Sequence, residues 1–271
     1  MKYEDSQLEK LKKIELSILE AIIKVCEEND ITYFTVAGTT LGAIRHNGFI
    51  PWDDDIDIGM MRDDYERFLQ IAPAELDKGY TLTHFIYDNN VPTYFAKVRK
   101  DGTKFVEGYT RNMHIHQGVF IDIFPYDKVP EDRKLRKRYN RAAQFWNQLY
   151  IAKSVDELTF HPKRHINILK TIRKALHILM KPVSKSYLFK KTDQALRKYN
   201  DQDTDKVSSR GLDLFFCNLE DLVPPSEHIF ETIKVKVPAN PDRVLTKQYG
   251  NYMKLPPEED RYNHAPALLE I

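Results

Sequence analysis

The sequence predicts an α+β fold, with helices around a group of strands and a basic helical region inserted in the middle of the chain. Three observations predict it. Apolar residues recur at helical spacing over residues 6–29. Short β-branched and aromatic runs, parted by turn residues, succeed one another from 31 to 124. From about 131 to 200 the pattern is helical and basic. The 271 residues are 42% hydrophobic and 11% aromatic, enough to bury a core and to exclude general disorder.

The first helix is written in Leu8, Leu11, Ile14, Ile18, Ile22 and Cys26, a stripe at three- and four-residue steps. "ITYFTVA" (31–37) reads as a strand; Gly38 ends it, and 39–45 forms a helical turn. Ile56, Ile58 and Met60 alternate with other residues, so a second strand issues from the acidic run before it. Residues 63–72 are helical until Pro73, which lacks the N–H a helix needs. "YTLTHFIY", "TYFAKVRK" and "TKFVEGY" are further strands, separated by turns at 89–92 and 101–102. "GVFIDIF" (118–124) is another, closed by Pro125. The basic helical tract breaks near Pro182. Beyond 200 come short strands such as "TIKVKVP", a helix after Pro241 and a Pro-rich acidic tail.

Net charge is +1, but locally it is −9 over 1–132, +15 over 133–198 and −5 over 199–271. An acidic half joined to a basic middle points to two roles in one chain. The expected division is a motif-bearing core at 1–132, a basic helical region at 133–200 and a part at 201–271 that completes the core. "MKYEDSQLEKLKK" holds no apolar signal core, and no run reaches membrane-spanning length. Cys26 and Cys217 match neither a disulfide framework nor a zinc spacing, and read as core thiols in a reducing cytoplasm.

"FIPWDDDIDIGM" (49–60) gathers Asp53, Asp54, Asp55 and Asp57 within five positions. Like charges so close oppose one another's ionisation. On a strand Asp55 and Asp57 face one way, with Asp53 at the same parity, and Ile56 and Ile58 face the other. A hard divalent cation between the carboxylates removes the repulsion. Mg²⁺, which divides its shell between one or two carboxylates and a phosphate, suits the pattern, with Mn²⁺ as the alternative. The sequence has no His/Cys cluster of zinc type here and no EF-hand loop. The structural alternative is a solvated turn pairing with Arg45, Arg62 and Arg67. Asp122, inside "GVFIDIF", is the third carboxylate expected, as ligand or as buried ion-pair partner. Gly38, Thr39 and Thr40 stand between a strand and a helix start, where N–H groups receive phosphate oxygens.

"AGTTLGAIRHNGFIPWDDDIDIGMMRDDYERF" (37–68) resembles the signature of the LicD family of phosphocholine transferases, within the nucleotidyltransferase-fold superfamily. The superfamily pattern matches Gly38-Thr39, Asp55-x-Asp57 and, by position, Asp122. "AKVRKDGT" (96–103), "GVFIDIFPYD" (118–127) and "VPANPDRVLTKQYGNYMKLPP" (237–257) followed by "RYNH" support it, while the basic middle carries little of it. The resemblance implies a nucleotidyltransferase-like mixed β-sheet flanked by helices. It also implies transfer of phosphocholine from CDP-choline to a hydroxyl of a cell-surface glycan precursor, of teichoic acid or lipopolysaccharide type, releasing CMP. Relatives that move other phosphoalditols leave a different CDP-linked alcohol open. A nucleotidyltransferase moving NMP to a small molecule or RNA is the other enzyme reading, and a catalytically silent binding module is a third.

In the first reading Asp55, Asp57 and Asp122 hold the metal. Gly38, Thr39 and Thr40 contact phosphate, Arg45, Lys97 and Arg99 offset its charge, and Arg261 and His264 in the tail reach substrate. Asp122, Asp53, His46 and His264 are alternatives for the general base. Trp52, Tyr94, Tyr109, Phe120, Tyr126 and Trp146 are available for an aromatic box around choline. Ile166, Leu169, Ile172, Leu176 and Leu179 share a helical face among Lys163, Arg164, Lys170, Arg173, Lys174 and Lys181. That face suits an anionic membrane presenting a lipid-linked glycan acceptor, or the protein core. The expected location is cytoplasmic, peripheral on the inner face of the cell membrane. Nucleic acid ranks last among partners, since no aromatic-basic motif of an RNA-binding module is present.

Overall fold

The computed structural model describes residues 3–155 and 166–271. The N-terminal stripe folds into α1 (Asp5–Glu28), burying Leu11, Ile18, Ile22 and Cys26 in the main core. The chain enters β1 (Phe34–Thr35), turns at once into α2 (Ala37–His46) and returns as β2 (Asp57–Met61). The strand expected over 31–37 has only two residues in the ladder. Its β-branched and aromatic residues Ile31 and Tyr33 are buried without joining the sheet. Ala37, with φ of 48°, already begins the helix. That backbone region is costly for a residue with a Cβ, so strain sits where strand gives way to helix.

Helix α3 (Arg62–Glu75) runs past Pro73, which the sequence reading has as its stop. Pro73 has no N–H to offer the Leu69 carbonyl, and the Tyr87 hydroxyl donates to that carbonyl instead. β3 (Tyr80–Thr83), β4 (Ala96–Lys100) and β5 (Lys104–Val106) are each shorter than expected. β6 (Phe120–Lys128) is longer and continues through Pro125. On its flank away from β2, β4 pairs with residues 120–123 and β7 (Lys206–Ser209) with 126–128. Pro125 falls in the change-over, where that flank has no ladder to miss its N–H.

The sheet runs β1–β2–β6–β4–β3, with β7 and then β8 (Cys217–Asn218) added beside β6. The β2–β6 pair is parallel and the other pairs antiparallel, so the sheet is mixed. Gly59 in β2 leaves room for Phe34 and Tyr126 to meet edge to face at 5.1 Å; a Cβ there would come within 2.7 and 2.8 Å of the two rings.

The basic tract forms α4 (Arg133–Ser154), α5 (Ile166–Met180) and α6 (Lys185–Leu196), with Pro182 between the last two. Ala143, Tyr150, Leu188 and Leu196 close with Phe85 and Tyr94 into a cluster apart from the main core. The apolar face expected on α5 is not simply buried: Ile172 and Leu179 are exposed, while Arg173 is buried. Lys163 and Arg164 lie outside the described residues, as do the side chains of Ile166, Leu169 and Lys170. Further on come the hairpin β9 (Ser226–Phe230)–β10 (Ile233–Val237), α7 (Pro241–Tyr249) and β11 (Leu268–Glu270). Phe230, Val235 and Val237 of the hairpin enter the main core, and β11 pairs with β5 outside the large sheet. Among the described residues no helix is long and apolar enough to cross a membrane. Both cysteines are free, Cys26 buried and Cys217 half-buried.

Candidate active site

The start of α2, the loop leading into β2 and the chain after α7 enclose a cleft of about 640 Å³. Gly38, Asp53, Asp55 and Asp57 form one wall, and Tyr249, Tyr252, Tyr262 and His264 another. Asp53, Asp55 and Asp57 share a side, as alternation predicts, although only Asp57 lies in the ladder. Ile56 and Ile58 are buried behind them. Across the parallel pair, Asp57 stands in register with Asp122.

The foreseen repulsion is present. Burial raises the carboxyl of Asp55 well above its ordinary range, with Asp57 and Asp53 adding to it. Burial and then Asp54 raise Asp53, while burial and then Asp122 carry Asp57 to about 7. His264 answers part of it. Its Nδ1 lies 3.5 Å from Asp55 and 3.6 Å from Asp54, and the hydrogen bond with Asp54, then the charges of the neighbouring aspartates, lift its pKa to about 9. The raised pKa favours the cationic form of His264 beside the acids. One ligand atom each from Asp53, Asp55 and His264 falls within a 4.8 Å cluster.

Asp54 has the opposite parity and a different task. Buried, it accepts the Tyr3 hydroxyl at 2.5 Å and the His264 backbone N–H at 2.7 Å, fastening both chain ends to the acidic loop. Glu15 of α1 is also buried, and burial followed by the charges of Asp55, Asp54 and Asp53 raises it well above the carboxylate range. Sequence reasoning missed it. The available signal was an acid set on the apolar stripe between Leu11 and Ile18. Tyr249, Tyr252 and Tyr262 were missed as well, since nothing local marks a tyrosine in a proline-rich tail.

Gly38 is needed for close approach: a Cβ there would stand 2.8 Å from Asp53 Oδ2. The Thr39 and Thr40 side chains are buried. Thr39 Oγ1 accepts the Asp57 N–H at 2.8 Å, and the Thr40 hydroxyl pairs with that of Thr35 at 3.0 Å. They build the wall from behind. Arg45 lines the cleft, donating to the Tyr252 carbonyl at 2.7 Å and to His46 Nε2 at 2.9 Å. Arg261 lies 5.0 Å over Trp52 and donates to the Pro256 carbonyl at 3.1 Å.

Lys97 and Arg99 do not line the cleft, although Lys97 reaches Asp122 beside Asp57. Lys97 is 3.0 Å from Asp122 and 3.2 Å from Glu107, above the Phe120 ring; Arg99 donates to the Gly118 carbonyl at 2.8 Å. This buried charge cluster borders a separate cavity of about 10 Å³. Of the aromatics considered for a choline box, Trp52 lines the cleft. Tyr94 and Tyr126 are core residues, Phe120 carries Lys97, Tyr109 donates to Glu107, and Trp146 belongs to the α4–α6 pair.

A mixed sheet whose parallel strand pair leads acids into a cleft, opposite a helix start, defines an α+β protein with one concentrated acidic site. The chain belongs to the LicD/FKTN/FKRP family, whose nucleotidyltransferase domain model matches residues 30–172. It is 31% identical over 264 residues to the lipopolysaccharide cholinephosphotransferase LicD of Haemophilus influenzae, covering 92% of each chain. An uncharacterized protein of Rickettsia typhi is 49% identical over 57 residues, 21% of this chain and 18% of that one. The ribitol 5-phosphate transferase FKRP of Mus musculus is 29% identical over 105 residues, 39% of this chain and 19% of its own.

Proposed function

We propose that this chain is a divalent-cation-dependent transferase that moves phosphocholine from CDP-choline to a hydroxyl of a cell-surface glycan precursor, releasing CMP. The acidic cleft carries the reading: three aspartates on one wall, their ionisation opposed by burial and by one another, beside a helix start. The Haemophilus influenzae relative, named for cholinephosphotransfer on lipopolysaccharide, supports the headgroup and the glycan class; a teichoic acid precursor is the alternative acceptor.

Asp55 belongs to a donor cluster with Asp53 and His264, and the carboxylate oxygens on this wall fit Mg²⁺ or Mn²⁺. Asp55 and Asp57 would hold the ion, with Asp122 as the next carboxylate one strand over, where Lys97 fixes it. Bound there, the ion supplies charge to offset the phosphoryl oxygens and the departing CMP. The N-terminus of α2 at Ala37 and Gly38 favours phosphate oxygens through its dipole, and Arg45 adds a positive wall. Asp53, at the same wall with a raised pKa, takes the acceptor proton. His264 as a cation, and His46 already accepting from Arg45, leave that task to it.

A second reading keeps the cleft and changes the headgroup: the mouse relative's name favours a CDP-linked alditol. Purified protein supplied with Mg²⁺ and, separately, CDP-choline, CDP-ribitol and CTP decides among them. CMP released from CDP-choline in the presence of a glycan acceptor, lost on chelation and lowered on the order of 100-fold or more by Asp55→Asn, supports the first. Release from CDP-ribitol alone supports the second. Pyrophosphate from CTP overturns both.

A further inference from the structure

Away from the cleft, α4 and α6 frame a second groove of about 520 Å³. Arg138, Lys191 and Lys198 line it together with Tyr139, Trp146 and Tyr199, and among the described residues no carboxylate does. Helix α4 carries seven Lys/Arg and no Asp or Glu. Among the described residues none of the three lining cations forms an ion pair. Lys191 rests 5.9 Å over Trp146 and 5.6 Å over Tyr187, and Lys198 lies 5.6 Å over Tyr199.

The rings continue onto the open surface. Phe145, 56% exposed, meets Trp146 edge-on at 5.3 Å; Tyr187, 48% exposed, meets it at 6.3 Å. Leu135, also on the groove, is 44% exposed. On α5, tied to α4 where His177 bonds the Ala152 carbonyl at 2.8 Å, Ile172 and Leu179 are exposed too. Unpaired cations beside exposed rings and aliphatic chains match a bilayer interface, where cations meet lipid phosphate and rings lie at headgroup depth. A nucleic acid would satisfy the cations but offers Leu135, Ile172 and Leu179 no apolar medium.

We propose that the α4–α6 groove and the rings beside it dock the protein on an anionic membrane surface, with Arg138, Lys191 and Lys198 receiving lipid phosphates and Phe145, Trp146 and Tyr187 entering the headgroup layer. This surface is independent of the transfer reaction proposed above. Sedimentation with vesicles of phosphatidylcholine, alone or mixed with phosphatidylglycerol, tests it. The chain binds the mixed vesicles, less so as salt rises, and leaves the neutral ones unbound. Arg138→Glu/Lys191→Glu/Lys198→Glu weakens that binding roughly 100-fold, given about a fivefold share per cation near a charged surface. A thermal melt matching the parent shows that the variant is folded. In Trp52→Phe protein, which isolates Trp146, emission shifts to the blue when anionic vesicles are added. Equal binding to both vesicle types, no shift of Trp146, or capture by soluble dextran sulfate without vesicle binding overturns the proposal.

Discussion

Asp53, Asp54 and Asp55 are consecutive in sequence, yet Asp54 turns inward to Tyr3 and His264 while its neighbours turn to the cleft. Alternation of side chains made that division legible, because Ile56 and Ile58 demand the buried face and Asp54 shares their parity. The partners of Asp54 were not legible, being 51 and 210 positions away. Single residues also set the acid limit of the fold. His84 is buried with Nε2 on the Tyr94 carbonyl at 3.1 Å, and burial lowers its pKa to about 4. The unfolded chain takes up that proton below about pH 6.5, whereas the folded chain refuses it until near 4. The contribution of His84 is therefore complete above about 6.5 and declines as pH falls toward 4, by about 3 kcal/mol at most. Urea midpoints measured at about pH 7 and about pH 4.5 are expected to fall further in the parent than in His84→Gln, whose amide still reaches Tyr94. Equal falls would clear His84 of the effect.

At the scale of elements, the sequence announced which helices and strands exist more faithfully than where they end. Two of the failed boundaries were prolines read as stops. In α3 the Leu69 carbonyl freed by Pro73 finds the Tyr87 hydroxyl, and in β6 Pro125 meets a gap between partner strands. Neither compensation is local, so neither leaves a mark on the eleven or so residues a pattern search weighs. The helix makes the sharper prediction. Tyr87→Phe removes one hydroxyl from a partly exposed ring and leaves the Leu69 carbonyl without a donor. A loss of about 1–2 kcal/mol in denaturant melts is expected, with faster amide exchange at Leu76, whose N–H closes the last turn on Ala72. Stability and exchange both equal to the parent would mean that water serves Leu69 as well as Tyr87 does.

Across the whole molecule, the motif between 37 and 60 supplies one wall of the cleft and the chain's end supplies the other. Only the first wall could be derived from its own residues; of the second, His264 was reached through resemblance and the tyrosines not at all, because its contacts are made across the entire sequence. Asp54 is the joint between them. It holds Tyr3 on one oxygen and the His264 N–H on the other, and past it the Ala267 N–H bonds the Val106 carbonyl before β11 pairs with β5. The tail is thus pinned at His264 and again beyond it, and Tyr262 and Asp260 line the cleft. Asp54→Ala strips one pin and leaves two donors to find water, about 1–3 kcal/mol for each left buried. Part of that is returned by relief of Asp53, which Asp54 repels. The expected result is a folded protein whose amides around His264 and in the first turn of α1 exchange at least tenfold faster. KM for the donor should rise more than kcat falls, because the far wall opens while Asp55 and Asp57 stay in place. Asp55→Asn should do the reverse, lowering kcat with exchange at the tail unchanged. If Asp54→Ala left exchange at His264 as slow as in the parent, the tail would be held by its own packing, and the coupling of the two ends through one carboxylate would be wrong.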